Sequence, residues 1–149
     1  MTRRVQSLGL GVVLAASVAC GDPEIVVPGV LSVEFYPPNG SIGISTNVEG
    51  LIAFTHEVAD VDAAAAAIEL TCLGFPNGTS GCLEPAGGCT GTTSATVEFA
   101  PSGMEARVAP DPPLDNGTCY AYRVAGGIEA AAKNVGPLPS DRRSAFQTF

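Results

Sequence analysis

Short apolar runs, each closed by Gly, Pro or Asn, limit what this chain can fold into more than any other feature. Val30 to Tyr36 alternates and stops at Pro37-Pro38, with Asn39-Gly40 behind it as a turn. Gly50 to Thr55 is compact and apolar, with Ile52 and Phe54 on one face. Ile68 to Cys72, Thr93 to Phe99 and Cys119 to Val124 alternate, and Met104 to Ala109 and Ala145 to Phe149 complete the set. Alternation with period two places one face of each run against a core. About seven such strands, separated by turn signals, predict an all-β antiparallel sandwich or barrel. Ala63 to Ala67 is the helix-leaning exception, with Asp60 or Asp62 placed to cap it. It is too short to stand alone, so it reads as a helical turn between two strands, and Glu129 to Lys133 is a weaker second case.

The chain opens on a basic start, Met1-Thr2-Arg3-Arg4, and an uncharged apolar stretch from Leu8 to Val18. That stretch is about half of the roughly 20 residues a membrane-spanning helix needs. Small residues then lead into a cysteine, Ser17-Val18-Ala19-Cys20-Gly21. The order is that of a secretory signal peptide, and its end resembles the lipobox of bacterial lipoproteins, with Ser17 where that family usually has Leu. The resemblance implies cleavage before Cys20 and lipidation of Cys20. Residues 1–19 would be the leader, 20–28 a tether and 29–149 one domain. Several acyl chains on one residue anchor stably where a single chain does not, so the expected partner is a membrane, reached through the lipid on Cys20. The expected location is an outer membrane or cell surface.

Two of the seven basic residues lie in the leader, and all 15 acids lie after Cys20. Such a surface repels phosphate backbones, which argues against nucleic acid as a partner. The acids are scattered singly, as on a solubilising surface. Gly (18) and Pro (12) make up about a fifth of the chain, rich in turns but below the share of a low-complexity sequence.

Besides Cys20 there are Cys72, Cys82, Cys89 and Cys119. An even set in an exported chain reads as two disulfides, with three pairings open. Zinc would call for close Cys-x-x-Cys or Cys/His clusters, and the only histidine is His56. Asn39-Gly40-Ser41, Asn77-Gly78-Thr79 and Asn116-Gly117-Thr118 match the N-glycosylation pattern. Each is also an Asn-Gly turn signal, which is the preferred reading behind a bacterial-type leader.

From Pro28 to Phe149 the order of elements resembles a bacterial Ig-like domain of the kind found in S-layer and other cell-surface proteins. The match is carried by Val33-Glu34-Phe35-Tyr36-Pro37-Pro38-Asn39-Gly40, by Ile52-Ala53-Phe54-Thr55-His56-Glu57-Val58-Ala59-Asp60 and by Ile68-Glu69-Leu70. Val97-Glu98-Phe99-Ala100-Pro101, Leu114-Asp115-Asn116-Gly117-Thr118-Cys119-Tyr120 and Phe146-Gln147-Thr148 follow in order. The resemblance implies an Ig-like antiparallel Greek-key sandwich. It also implies a tyrosine corner, with the Tyr120 hydroxyl bonded to backbone a few residues upstream and Leu114 plugging the same end of the core. The third and sixth strands would be antiparallel neighbours, so the resemblance pairs Cys72 with Cys119 and leaves Cys82 to close the long loop with Cys89. That pairing needs a bulge or a strand end leaving the sheet, because Cys72 shares a face with Ile68 and Leu70 while Cys119 lies opposite the Tyr120 face.

The departures from the family are the stretches Gly74 to Thr92 and Gly126 to Pro139. Loops of this kind are where function would sit. The family is not enzymatic as a rule, which implies a structural, spacer or adhesion-type role. The alternative is a binding module that recognises a glycan or a partner protein through loop 74–92.

His56 beside Glu57 lacks a nucleophile with a supporting motif, so no catalytic residue is expected. Asp60-Val61-Asp62 could offer oxygens to calcium but lacks the EF-hand spacing. Gly87-Gly88 and Gly126-Gly127 read as turns, not phosphate loops. No metal or cofactor is expected.

Overall fold

The computed structural model describes residues 29–78 and 81–149. The expected leader, tether and lipidation site at Cys20 lie outside the described residues. Two sheets face each other. One holds β1 (Val33–Tyr36), β3 (Gly50–Phe54), β8 (Glu105–Pro110) and β7 (Ala95–Phe99) in the order β1-β3-β8-β7, all antiparallel. The other runs β2 (Ser41–Ile44), β10 (Arg142–Thr148), β9 (Cys119–Val124), β4 (Ile68–Asn77) and β5 (Gly81–Ala86). A short β6 (Gly91–Thr93) pairs back onto β4. One of the sheets is curled into a half-barrel.

On β3, β4 and β9 the inner faces are those that alternation assigned, and β8 adds a face the sequence reading left open. Ile52 and Phe54 are buried on β3, Ala106 and Val108 on β8, Ile68 and Leu70 on β4, and Tyr120, Tyr122 and Val124 on β9. Phe146 stacks on Tyr122 with ring centroids 5.1 Å apart, and Phe54 meets Phe99 at 5.7 Å. Each fully buried Val, Ile, Leu or Phe among them contributes about 1.5–3 kcal/mol. Gly50 is a close-approach glycine: a Cβ there would meet the Tyr122 ring at Cζ and Oη, and at Cε2 at 2.7 Å.

The ends of the sandwich are closed locally. Asp60 caps the helical turn α1 (Val61–Ala66), its Oδ1 accepting the N–H groups of Asp62 and Ala63 at 3.0 Å. The loop after β9 folds back on itself, with Gly127 N–H donating to Leu138 and Leu138 N–H to Ile128, so that Ile128 and Leu138 plug the core.

Three expectations need correction. Among the described residues ten strands form where about seven were expected, because β2, β5 and β6 come from stretches read as turn and loop. Ser41-Ile42-Gly43-Ile44 is too short and too glycine-bearing to show a period, and its register comes from β10. That pairing is parallel, so the second sheet is mixed and not purely antiparallel. Glu129 to Lys133 is not helical: Ala130 forms a bridge with Val58, and Ala59 N–H donates to the Glu129 carbonyl.

Candidate functional site

The stretch that departs most from a plain sandwich is the excursion from Gly74 to Thr92. β4 pairs with β9 in register from Ile68↔Val124 to Cys72↔Tyr120, then shifts so that Gly74 faces Cys119. Beyond that shift β4 runs on past the sheet, and β5 folds back across the sheet's outer face. There Cys82 reaches Cys119, Ala121 and Ala145, and its Sγ lies 3.4 Å from the Phe146 carbonyl oxygen. A second small core forms, with Leu73 packed against it. β9 is consequently buried on both faces.

Two disulfides hold the excursion, and the connectivity differs from expectation. Cys72 pairs with Cys89 (Cα–Cα 5.8 Å) and Cys82 with Cys119 (Cα–Cα 5.4 Å). The third and sixth expected strands are indeed antiparallel neighbours. Yet Cys72 points into the main core with Leu70 and Tyr120, and Cys119 points to the outer face with Ala121. Side chains on opposite faces of a pleated sheet do not meet. Cys119 therefore takes the cysteine that β5 carries over the outer face. Cys72 takes Cys89, which the return of β6 onto Leu70–Cys72 brings alongside.

The excursion and its neighbour β2 expose large apolar side chains: Ile42 is 75% exposed, Leu83 70% and Phe75 53%. Ile42 and Leu83 stand on the two sides of a groove of about 130 Å³, with Ala145 as its floor. Arg143 and Asn39 line the adjoining depression. Ile42, Phe75 and Leu83 carry no signal in the sequence, because an exposed apolar residue among Gly and Pro residues shows no period. A second, wider groove of about 360 Å³ lies between α1 and the loop after β9, walled by Ala63, Ala67, Gly127 and Ile128.

The other sequence candidates fall elsewhere. The Tyr120 hydroxyl accepts the backbone N–H of Asp115 at 3.1 Å, five residues upstream, and Leu114 is buried beside it. Burial pushes the Tyr120 phenol up from its ordinary value. Burial pushes Tyr122 up further, and its hydroxyl has no partner among the described residues. His56 sits at the end of β3 with Nδ1 3.2 Å from Thr55 Oγ1. Asp60 is engaged as the helix cap, and among the described residues no group of three or more His, Cys, Asp or Glu side chains could hold a metal ion. Arg123 bridges Glu69 and Asp141. The Gly126 N–H and then Arg123 hold the Asp141 carboxyl below the usual range. This network had no sequence signal, since its members lie far apart in the chain.

Fold and site together define a disulfide-clipped all-β domain with an apolar surface groove. No protein-family model and no curated protein matches the chain. Among solved structures it is similar to the N-terminal part of the bacterial S-layer protein SbsC, at 17% identity and a TM-score of 0.47. That match covers 80% of this chain and 23% of that one. A longer structure of SbsC matches at 18% identity and a TM-score of 0.47, covering 79% of this chain and 13% of that one. A structure of domains 1–6 of SbsC matches at 16% identity and a TM-score of 0.44, covering 78% and 13%. The chain thus spans less than a quarter of the length of each.

Proposed function

We propose that this chain is an exported, lipid-anchored Ig-like domain of a bacterial cell surface, with a structural or spacer role and no catalytic activity. The observation that carries the reading is the pair of disulfides, which form and persist in oxidising compartments. They agree with a signal peptide of residues 1–19, cleaved before Cys20. The Ig-like assignment is supported by strand order. The order β1-β3-β8-β7 and, within the second sheet, the run β10-β9-β4 is the order expected of the two sheets of an Ig sandwich, with β2 and β5 added at the edges of the second. The test is the intact mass of the protein extracted from its membrane fraction, before and after reduction with alkylation. A mass for residues 20–149 plus acyl groups, with four thiols alkylated only after reduction, is the expected result. A lipid-free mass, or thiols reactive before reduction, overturns it.

A second reading, a binding module acting through residues 74–92, is favoured by Ile42 and Leu83 at the groove between β2 and β5. Exposed apolar side chains gathered at one groove mark contact surfaces. Replacing Leu83 by Glu would abolish such a contact and leave the unfolding transition unchanged. A spacer would lose nothing.

A further inference from the structure

The three Asn-Gly pairs differ in a way the sequence does not show. All three asparagines are exposed. Asn39 is nevertheless tied into the sheet. Its side-chain Oδ1 accepts the Ala145 N–H at 2.9 Å, and the N–H of the following Gly40 donates to the Ala145 carbonyl at 2.7 Å. The pair closes the gap between β1 and β2 by pairing with β10 as a strand would. Asn77, at the end of β4, and Asn116, in the turn before β9, make no side-chain hydrogen bond among the described residues. The Asn116 backbone carbonyl accepts the Thr118 hydroxyl at 3.0 Å, a bond that does not engage its carboxamide.

Asparagine followed by glycine is the pair most open to intramolecular attack, because glycine presents no Cβ to obstruct it. The backbone nitrogen of the glycine loses its proton to solvent and bonds to the asparagine Cγ. The Cγ–Nδ2 bond breaks, the nitrogen takes up protons and leaves as ammonia, and a cyclic imide remains. Water then opens the imide at either carbonyl, giving aspartate or isoaspartate, with no oxidant or reductant involved. At Asn39 both partners are held: the attacking N–H is engaged, and the carboxamide is turned towards Ala145.

We propose that Asn77 and Asn116 are self-modification sites of the folded protein, and that Asn39 is protected by its pairing with β10. Both reactive sites lie at the end of the sandwich opposite Val30, which bridges to Gly136 in the far loop. Each event adds a negative charge to a chain that already carries a formal −8. An isoaspartate also adds a backbone carbon. At position 116 that insertion falls between Asp115, which donates to Tyr120, and Thr118, whose N–H donates to Thr148 Oγ1 at 3.0 Å. At position 77 it falls on the hairpin that carries β5 over the outer face.

The experiment is a time course of the full-length protein in mildly alkaline buffer with disulfides intact. Peptide mapping would distinguish asparagine, aspartate and isoaspartate at each site. The reduced, denatured chain serves as the reference, in which all three sites convert at comparable rates. Breaking two hydrogen bonds before reaction slows a step by about tenfold or more. In the folded protein Asn39 is therefore expected to convert at least about tenfold slower than in the reference, while Asn77 and Asn116 stay within a few-fold of theirs. The Gly78→Ala variant, whose added Cβ meets nothing within 4 Å, should silence Asn77 alone. Equal rates at Asn39 and Asn77 in the folded protein would overturn the proposal. So would protection of both Asn77 and Asn116 to the degree seen at Asn39.

Discussion

Removing the Tyr122 hydroxyl should stabilise this protein, and removing the Tyr120 hydroxyl should destabilise it. The two tyrosines lie two residues apart on β9 and face the same core. Tyr122 is fully buried, and its hydroxyl has no hydrogen-bond partner among the described residues. A buried polar group without a partner costs about 1–3 kcal/mol. Phenylalanine removes that penalty and leaves a void of about one oxygen, which at about 24 cal/mol per Å³ costs a few tenths of a kcal/mol. The expected net for Tyr122→Phe is a gain of about 1 kcal/mol, or roughly 3–5 °C in Tm for a domain of this size. Tyr120→Phe loses the bond from Asp115 N–H and should cost about 1 kcal/mol. The assay is urea unfolding with the disulfides intact, comparing midpoints at unchanged slope. A Tyr122→Phe variant less stable than the parent by 1 kcal/mol or more would refute the reasoning, because it would mean the hydroxyl is satisfied by an internal water. The same burial sets an alkaline limit. The native state keeps the Tyr122 proton at pH values where the unfolded chain has lost it, near pH 10 and above. Stability contributed by this group is therefore complete below about pH 10 and falls as pH rises, by up to about 1.4 kcal/mol per pH unit. Tyr122→Phe should flatten that fall.

Other perturbations test the packing and the clips. Gly50→Ala places a methyl group against the Tyr122 ring and should cost about 1–3 kcal/mol or more by overpacking, read as a lower urea midpoint. Tyr122→Phe should not rescue it, since Cζ and Cε2 remain in the way. Cys82 and Cys119 are buried, whereas Cys89 is exposed. Graded reduction followed by alkylation and mass mapping should therefore open Cys72–Cys89 first, and opening of Cys82–Cys119 first would contradict the arrangement. Replacing Cys82 and Cys119 together by Ala should cost about 4 kcal/mol in the chain-entropy model, against about 3 kcal/mol for the shorter loop of Cys72 and Cys89, measured as separate urea midpoints. The Asp141 carboxyl is held low by the Gly126 N–H and by Arg123. Its contribution is present above the ordinary carboxylate range and lost as pH falls through the native value. Asp141→Asn should remove that part of the acid-side decline in a pH series of thermal midpoints.

Much of this architecture is legible in the sequence, for a local reason. Alternation is a property of neighbouring residues, so Ile52 and Phe54, Ile68 and Leu70, and Tyr120, Tyr122 and Val124 declared their inward faces directly in the sequence. The sequence likewise offered Asp60 or Asp62 as the cap of a short helical turn, and Asp60 takes that place, because capping is settled within three residues. The same alternation placed Cys72 and Cys119 on opposite faces, and the structure obeys it: the two cysteines do not bond although their strands are neighbours. What no local pattern could supply was the path of the chain between those strands. Whether β5 crosses the outer face to bring Cys82 onto Cys119, and whether Ser41–Ile44 lies parallel to β10, depends on surfaces that exist only after the sheets have packed. Ala121 and Ala145 become a second core only once β5 covers them, and Tyr122 becomes an orphaned hydroxyl only once Gly50 closes beneath its ring. Faces are set by the period of the strand, while partners across a face are set by where distant segments return. The sequence by itself therefore determined which side chains point inward, and tertiary structure alone decided what they meet there.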